Sequence, residues 1–196
     1  MSGLVDRAIA DAGLGPLLEA RRRGPLSDAD VTFLQGVDLL ALGALADRLR
    51  AEELGPEVRI YTGPLAVEGN PFAVLPRPGR ELTGLELLRE VAVARVAGPP
   101  GARVRVDWTA CGLELAQVAL GFGASELFGH VANKRGLPFA EGELAGVGKK
   151  SRLEPALAVK EREIAGFVRR AGRTPVFVGR EGAAGQATRE HPEEAR

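Results

Sequence analysis

Three side chains in the second half of the chain have types that can carry chemistry. Cys111 offers a thiol, Glu126 a carboxylate and His130 an imidazole. A cysteine next to a helix N-terminus can have its thiol pKa lowered by the helix dipole, and a nearby histidine can act as its base. The pattern therefore allows nucleophilic catalysis in this region. The alternatives are a small buried apolar role for Cys111 and a partly exposed structural role for His130.

A wider set of polar and aromatic residues lies near predicted strand ends, where barrel-derived folds bind ligands. If these side chains converge, they form a ligand-binding pocket. The alternatives are a solvated glutamate at 68, a turn asparagine before Pro71, a core tryptophan, and a first-turn helix acid at 114. The candidates are Glu68, Asn70, Trp108, Cys111, Glu114, Glu126 and His130. The basic residues Lys149, Lys150 and Arg152 could hold an anionic group or belong to a solvated loop.

Composition and motifs exclude several functional classes. With one cysteine and two histidines in the sequence, we expect no protein-only metal site. There is no P-loop, His-Glu-x-x-His or Gly-x-Ser-x-Gly motif. Lys+Arg and Asp+Glu balance at 26 each, so no global basic field attracts nucleic acid or anionic lipid. The opening residues lack a signal-peptide pattern and no run of about 18 apolar residues occurs, so we expect a cytoplasmic protein without a membrane partner.

The first part of the chain, residues 1–54, predicts a helical lead-in. A helix over Leu4–Arg22 is interrupted near Pro16 by its neighbouring glycines. Ser27 and Asp38 are N-cap residues for the next two helices. The second of these runs to Leu54, with an apolar stripe at Leu39, Leu42, Leu45 and Leu49.

Residues 55–180 alternate strand and helix patterns, which is typical of an α/β fold with a mainly parallel sheet. The glycine-rich stretch 133–150 is expected to be a loop, and residues 181–196 a disordered tail. The predicted elements are a strand at Glu57–Thr62, a short strand or loop at Phe72–Leu75, a capped helix at Thr83–Ala97, a strand at Val104–Trp108, helices at Leu113–Phe122 and Pro155–Ala171, and a strand at Pro175–Val178.

Three segments resemble the radical S-adenosylmethionine (SAM) enzymes of the menaquinone futalosine pathway, of the aminofutalosine synthase and dehypoxanthine futalosine cyclase type. Residues 26–50 resemble the helical lead-in of that family, Gly112–Leu127 the segment after a late barrel strand, and Ile164–Val176 the closing helix. A Gly-Ala-x-Asp-Leu-x-Gly-Thr-like motif of the family stands here as Gly123–His130, with Glu126 in place of the acid and His130 in place of the hydroxyl.

The resemblance implies an incomplete barrel. In that family a Cys-x-x-x-Cys-x-x-Cys loop holds a [4Fe–4S] cluster, and this loop is absent here. The chain is similar to the family's first strand followed by its sixth strand onward, so roughly five strand–helix units of the barrel are missing. The fold expected is a partial TIM-barrel-like sheet of about three or four strands behind the N-terminal helices.

Three functions remain open at the level of sequence. The first is a catalytically degenerate radical SAM-like protein, a pseudoenzyme without cofactor, that binds a small molecule or a full-length radical SAM enzyme and is linked to menaquinone biosynthesis. The second is a cluster-independent enzyme that uses the region of Cys111, Glu126 and His130. The third is a structural homodimer, in which a second chain buries the apolar strand face at Val58–Ile60 and Val104–Val106.

Overall fold

The computed structural model describes residues 2–62, 70–129 and 153–178 of the chain. The predicted loop at 133–150 and tail at 181–196 lie outside these residues. The elements are α1 Ser2–Asp11, α2 Gly15–Arg23, α3 Asp28–Gly36, α4 Leu39–Leu54, β1 Glu57–Tyr61, β2 Ala73–Leu75, α5 Gly84–Ala97, β3 Val104–Asp107, α6 Trp108–Cys111, α7 Leu113–Ala119, a 3-10 turn Leu120–Phe122, β4 Glu126–Phe128, α8 Leu153–Arg170 and β5 Thr174–Val178.

Local capping signals explain why the helices begin where they do. The Ser27 hydroxyl accepts a hydrogen bond from the Asp30 amide, and the Asp30 carboxylate accepts one from the Ser27 amide. The Asp38 carboxylate accepts from the Ala41 amide at the start of α4. Thr83 and Glu86 form the same reciprocal pair at the start of α5. These helix starts confirm the predicted caps.

The strands form one parallel sheet in the order β2-β3-β4-β1-β5. The predicted parallel α/β class is therefore confirmed, but the described sheet has five strands rather than the expected three or four. The strand that was missed is β4, since three residues beginning with a glutamate give no strand pattern. Trp108 was also expected to end a strand, whereas Asp107 caps it as the first residue of α6.

All three helices that follow the inner strands pack on the same face of the sheet. Strands β2, β3, β4 and β5 are laid down in one direction, and right-handed crossovers then place each connecting helix on one side. The packing agrees, because one apolar cluster joins alternate strand residues to α5, α7 and α8. Its members include Val58, Ile60, Val104, Val106, Leu127, Leu87, Val91, Ala116, Ala119, Ile164 and Val168.

This packing corrects the reason given for a homodimer. The face at Val58–Ile60 and Val104–Val106 was expected to need a second chain, yet Val58, Ile60, Val104 and Val106 have no exposed surface. Helices of the same chain bury it instead. The lead-in helices do not cover the sheet directly. They form a second apolar cluster, in which Leu42, Leu45 and Leu49 of α4 pack with Ala92, Val93 and Val96 of α5.

A buried arginine ties α5 to the amino-terminal ends of two strands. The Arg95 side chain is fully buried, and its guanidinium donates to the carbonyl oxygens of Ala102 and Gly123 and to the Ser125 hydroxyl. Burial lowers the pKa of Arg95 to about 10. These bonds satisfy backbone acceptors of the turns that lead into β3 and β4, so Arg95 fixes the position of both strands.

Candidate functional site

An open cleft of about 730 Å³ lies at the carboxyl ends of β2 and β3. The chain leaves β2 through a cis bond between Leu75 and Pro76, and residues 76–82 form one wall. Helices α5, α6 and α7 contribute the rest. The apolar lining comes from Leu82, Leu87, Ala110 and Leu115, and the charged lining from Arg77, Arg80, Glu81 and Asp107. This mixture of apolar surface with a few polar groups is typical of small-molecule sites.

Asp107 holds the short helix α6 against this cleft. Its Oδ1 accepts hydrogen bonds from the Thr109 amide at 2.8 Å and from the Thr109 hydroxyl at 2.6 Å. Because Asp107 is the last residue of β3, this cap turns the chain sharply from strand to helix. The cap therefore determines where Ala110 and Cys111 meet the cleft.

Cys111 does not have the environment of an activated thiol. It is the last residue of α6 rather than the residue before a helix N-terminus, and its Sγ lies 3.2 Å from the Asp107 carbonyl oxygen. Burial, and secondly the Asp107 carboxylate, raise the pKa of the Cys111 thiol to about 11. The expectation that a helix dipole lowers this pKa is wrong. At neutral pH the thiol is protonated and is a poor nucleophile.

The sheet face opposite α5, α7 and α8 carries a second group of chemically interesting residues. We call it the arginine face and define it by Arg59, Tyr61, Arg103, Arg105 and Glu126. Side chains alternate along a strand, so the residues between the core valines and isoleucine point to this face. Register places Arg105, Glu126 and Arg59 in one row across β3, β4 and β1.

Glu126 is the centre of this face and is only 1% exposed. Its Oε2 accepts from Arg105 Nε at 2.9 Å and lies 2.8 Å from Arg105 Nη2. Its Oε1 accepts from the Tyr61 hydroxyl at 3.3 Å and lies 3.7 Å from Arg103 Nε. The Arg105 guanidinium also stacks on the Tyr61 ring, 4.0 Å from its centroid. Both carboxylate oxygens are therefore engaged, and Glu126 holds arginines in place rather than standing free as a base.

The structure separates the other sequence candidates. Trp108 is a buried core residue whose ring lies so close to Gly129 that an added Cβ would be 2.4 Å away. Glu114 is exposed in the first turn of α7, and Asn70 is exposed on the amino-terminal side of β2. Glu68 and His130, like the basic group at 149–152, lie outside the described residues. Of the candidates that are described, Trp108 and Cys111 share α6, while Glu126 belongs to the arginine face.

Sequence reasoning missed the arginines that surround Glu126. A signal was present, because Arg59 and Tyr61 alternate with Val58 and Ile60 just as Arg103 and Arg105 alternate with Val104 and Val106. Alternation alone does not say which strands are neighbours. The partner of these arginines became visible only with β4, the strand that the sequence did not predict.

No donor set for a metal cofactor is present in the part of the chain that the structure describes, where no group of three His, Cys, Asp or Glu side chains is arranged to hold a metal ion. The cluster of the radical SAM enzymes needs three cysteine thiolates, and the whole sequence contains one cysteine. The residues of this chain therefore do not fit that group.

The fold and site together define a parallel α/β protein with its helices on one face and a cleft at the carboxyl edge. No protein-family model, curated protein or solved structure matches this chain. Among the described helices, none has both the length and the apolar character needed to cross a membrane.

Proposed function

We propose that this chain is a small-molecule-binding relative of the parallel β/α barrels that has lost radical SAM chemistry, and that its ligand occupies the cleft at the carboxyl ends of β2 and β3. The observation that carries the proposal is the strand order. In a closed eight-stranded barrel the last strand pairs with the first, and every helix lies outside. Here β4 pairs with β1, and α5, α7 and α8 share one face.

The sequence resemblance supports the same alignment with a barrel. It relates β1 to the first strand of the radical SAM enzymes and β3 to the seventh. On that basis β4 takes the place of the eighth strand, which a barrel pairs with the first, as β4 pairs with β1 here. Strand β5 lies on the other side of β1, where a complete barrel has its second strand. The proposal is therefore a barrel remnant whose open edge is occupied by the last strand of the chain.

The position of the cleft supports ligand binding over catalysis. Barrel enzymes bind substrates at the carboxyl ends of their strands, and the cleft is at that edge. The groups that a cluster-independent enzyme would use are not free for it, since the Cys111 thiol is protonated and Glu126 is paired with arginines. A link to menaquinone biosynthesis rests on the resemblance alone and guides the choice of compounds to test.

The test is a ligand-dependent thermal shift with SAM, purine nucleosides and aromatic carboxylates. Ala110 is exposed and lines the cleft, so Ala110→Phe fills the cleft without disturbing the core. Val118 is 49% exposed on the neighbouring helix and does not line the cleft, so Val118→Phe is the matched control. We expect at least one compound to stabilise the wild type and Val118→Phe but not Ala110→Phe.

Two results would contradict the proposal. Stabilisation that persists in Ala110→Phe would move the ligand away from the cleft. If no compound of these classes has an effect, the protein-partner and homodimer hypotheses take precedence, and sedimentation analysis over a tenfold concentration range then separates a self-associating chain from a monomer.

A further inference from the structure

The row across β3, β4 and β1 holds more guanidinium groups than its carboxylate can pair with. Glu126 is the only carboxylate of the row, and Arg105 and Tyr61 bond to it directly. Arg103, one step toward the amino end of β3, reaches it only at 3.7 Å. Arg59, on the other side of Glu126, makes no hydrogen bond or ion pair with any residue of the described ranges.

The surroundings of Arg59 do not supply another counter-charge. Its neighbour on β5 is Val176, an apolar residue. Glu57 shares the same face of β1 but is exposed at the end of the strand and makes no ion pair with Arg59. Asp107, at the carboxyl end of β3, uses its side chain to cap α6. Arg59 is thus a half-buried cation in the middle of a sheet face, a position that long cationic side chains seldom take without a partner.

We propose that Arg59 and Arg103 bind a compact oxyanion, a carboxylate or a phosphate, on the arginine face. The two residues lie on strands that flank β4, so their Cα atoms are separated by about two strand spacings, about 10 Å, and both side chains can reach one anion held over β4. The planar guanidinium fork matches both oxyanions, with two parallel N–H donors for two oxygens.

Glu126 and Tyr61 give this site its shape. Glu126 immobilises Arg105 through Oε2, and the Tyr61 ring carries the guanidinium of Arg105 at 4.0 Å. Because Arg105 is held by these groups, it is not available to move toward a ligand. The exogenous anion is therefore left to Arg59 and Arg103, of which Arg103 has a 28% exposed side chain. The site lies on the opposite face of the sheet from α5 and α7, whose residues line the cleft, so it is separate from the site of the proposed function.

Isothermal titration with inorganic phosphate and with acetate, at constant ionic strength set by sodium chloride, tests the inference. The two anions distinguish a phosphate site from a carboxylate site. We expect saturable binding of at least one of them to the wild-type chain. Arg59→Gln should weaken that binding by about tenfold or more, because it removes charge-assisted hydrogen bonds to the anion. Arg59→Lys should bind more weakly than wild type and more tightly than Arg59→Gln, since it keeps the charge and loses the fork.

Arg7→Gln is the matched control. Arg7 is exposed on α1, away from the sheet, and its removal changes the net charge of the chain by the same amount. This variant should bind like the wild type. If Arg59→Gln does not fold, Arg103→Gln provides the second variant, with the same expected loss.

The inference would be overturned by the absence of saturable binding of either anion to the wild type, or by equal losses in Arg59→Gln and Arg7→Gln, which would indicate a general charge effect. The outcome is independent of the cleft. Ala110→Phe should leave anion binding unchanged, so a failure of the cleft proposal and a failure of the anion site produce different results.

Discussion

Alkylation of Cys111 measures directly how the fold controls the one thiol of the chain. The structure raises the pKa of this thiol from 9.0 to about 11. Near pH 8 this shift lowers the thiolate fraction by about 100-fold relative to the unfolded chain. A thiolate of higher pKa is intrinsically more nucleophilic, which recovers about tenfold of that loss. We therefore expect iodoacetamide to react with native Cys111 about tenfold more slowly than with the chain in concentrated urea.

The shape of the pH–rate profile separates protonation from simple shielding. Cys111 lines an open cleft, so the reagent can reach it, and the native rate should rise with pH until about pH 11. Because the chain contains one cysteine, mass spectrometry reports this site alone. The folded pKa is the higher of the two, so this group favours the native state below about pH 9 and its contribution is lost as pH rises toward 11.

Asp107→Asn tests the second cause of the shift. Asparagine is as good an N-cap as aspartate, so α6 keeps its start while the carboxylate charge beside the thiol is removed. We expect the pKa of Cys111 to fall only part of the way toward its ordinary value, because burial is the larger cause. A native profile that levels off at or below pH 9 would refute the reasoning and restore Cys111 as a candidate nucleophile.

Three further predictions concern the scaffold, each measured by urea and thermal unfolding. Gly123→Ala should lower the free energy of unfolding by about 2–5 kcal/mol, because Gly123 has φ +95 and an added Cβ would lie 2.8 Å from Arg95 Cγ; Gly79→Ala, with φ +76 and open space, should cost only about 1–2 kcal/mol, and equal losses would refute the steric argument. Thr83→Ala should cost about 1 kcal/mol by removing the cap of α5, and an unchanged urea midpoint would contradict this. Asp47→Asn should cost about 2 kcal/mol, since Asp47 pairs with both Arg50 and Arg173 and Arg50 is buried; a loss below about 0.5 kcal/mol would show that these pairs are dispensable.

The helices and most strand positions were predictable because their signals are local. The hydroxyl of Ser27 and the carboxylate of Asp38 each act on an amide three residues ahead, and the printed sequence contains both partners. Alternating strand and helix patterns were enough for a parallel α/β class. The single cysteine was enough to exclude the radical SAM cluster, because that chemistry needs a ligand count and not a geometry.

The tertiary structure decided the site. Arg105 reaches Glu126 across 21 positions of sequence and Tyr61 reaches it across 65, through the pairing of β4 with its two neighbours. The short strand β4 gains its stability from that pairing and not from its own three residues. The pKa of Cys111 likewise depends on burial and on where Asp107 lies. Residue types and spacing determined which helices form, whereas strand order, the shared face of the arginines and the protonation of the thiol depend on contacts between distant residues that only the packed chain brings together.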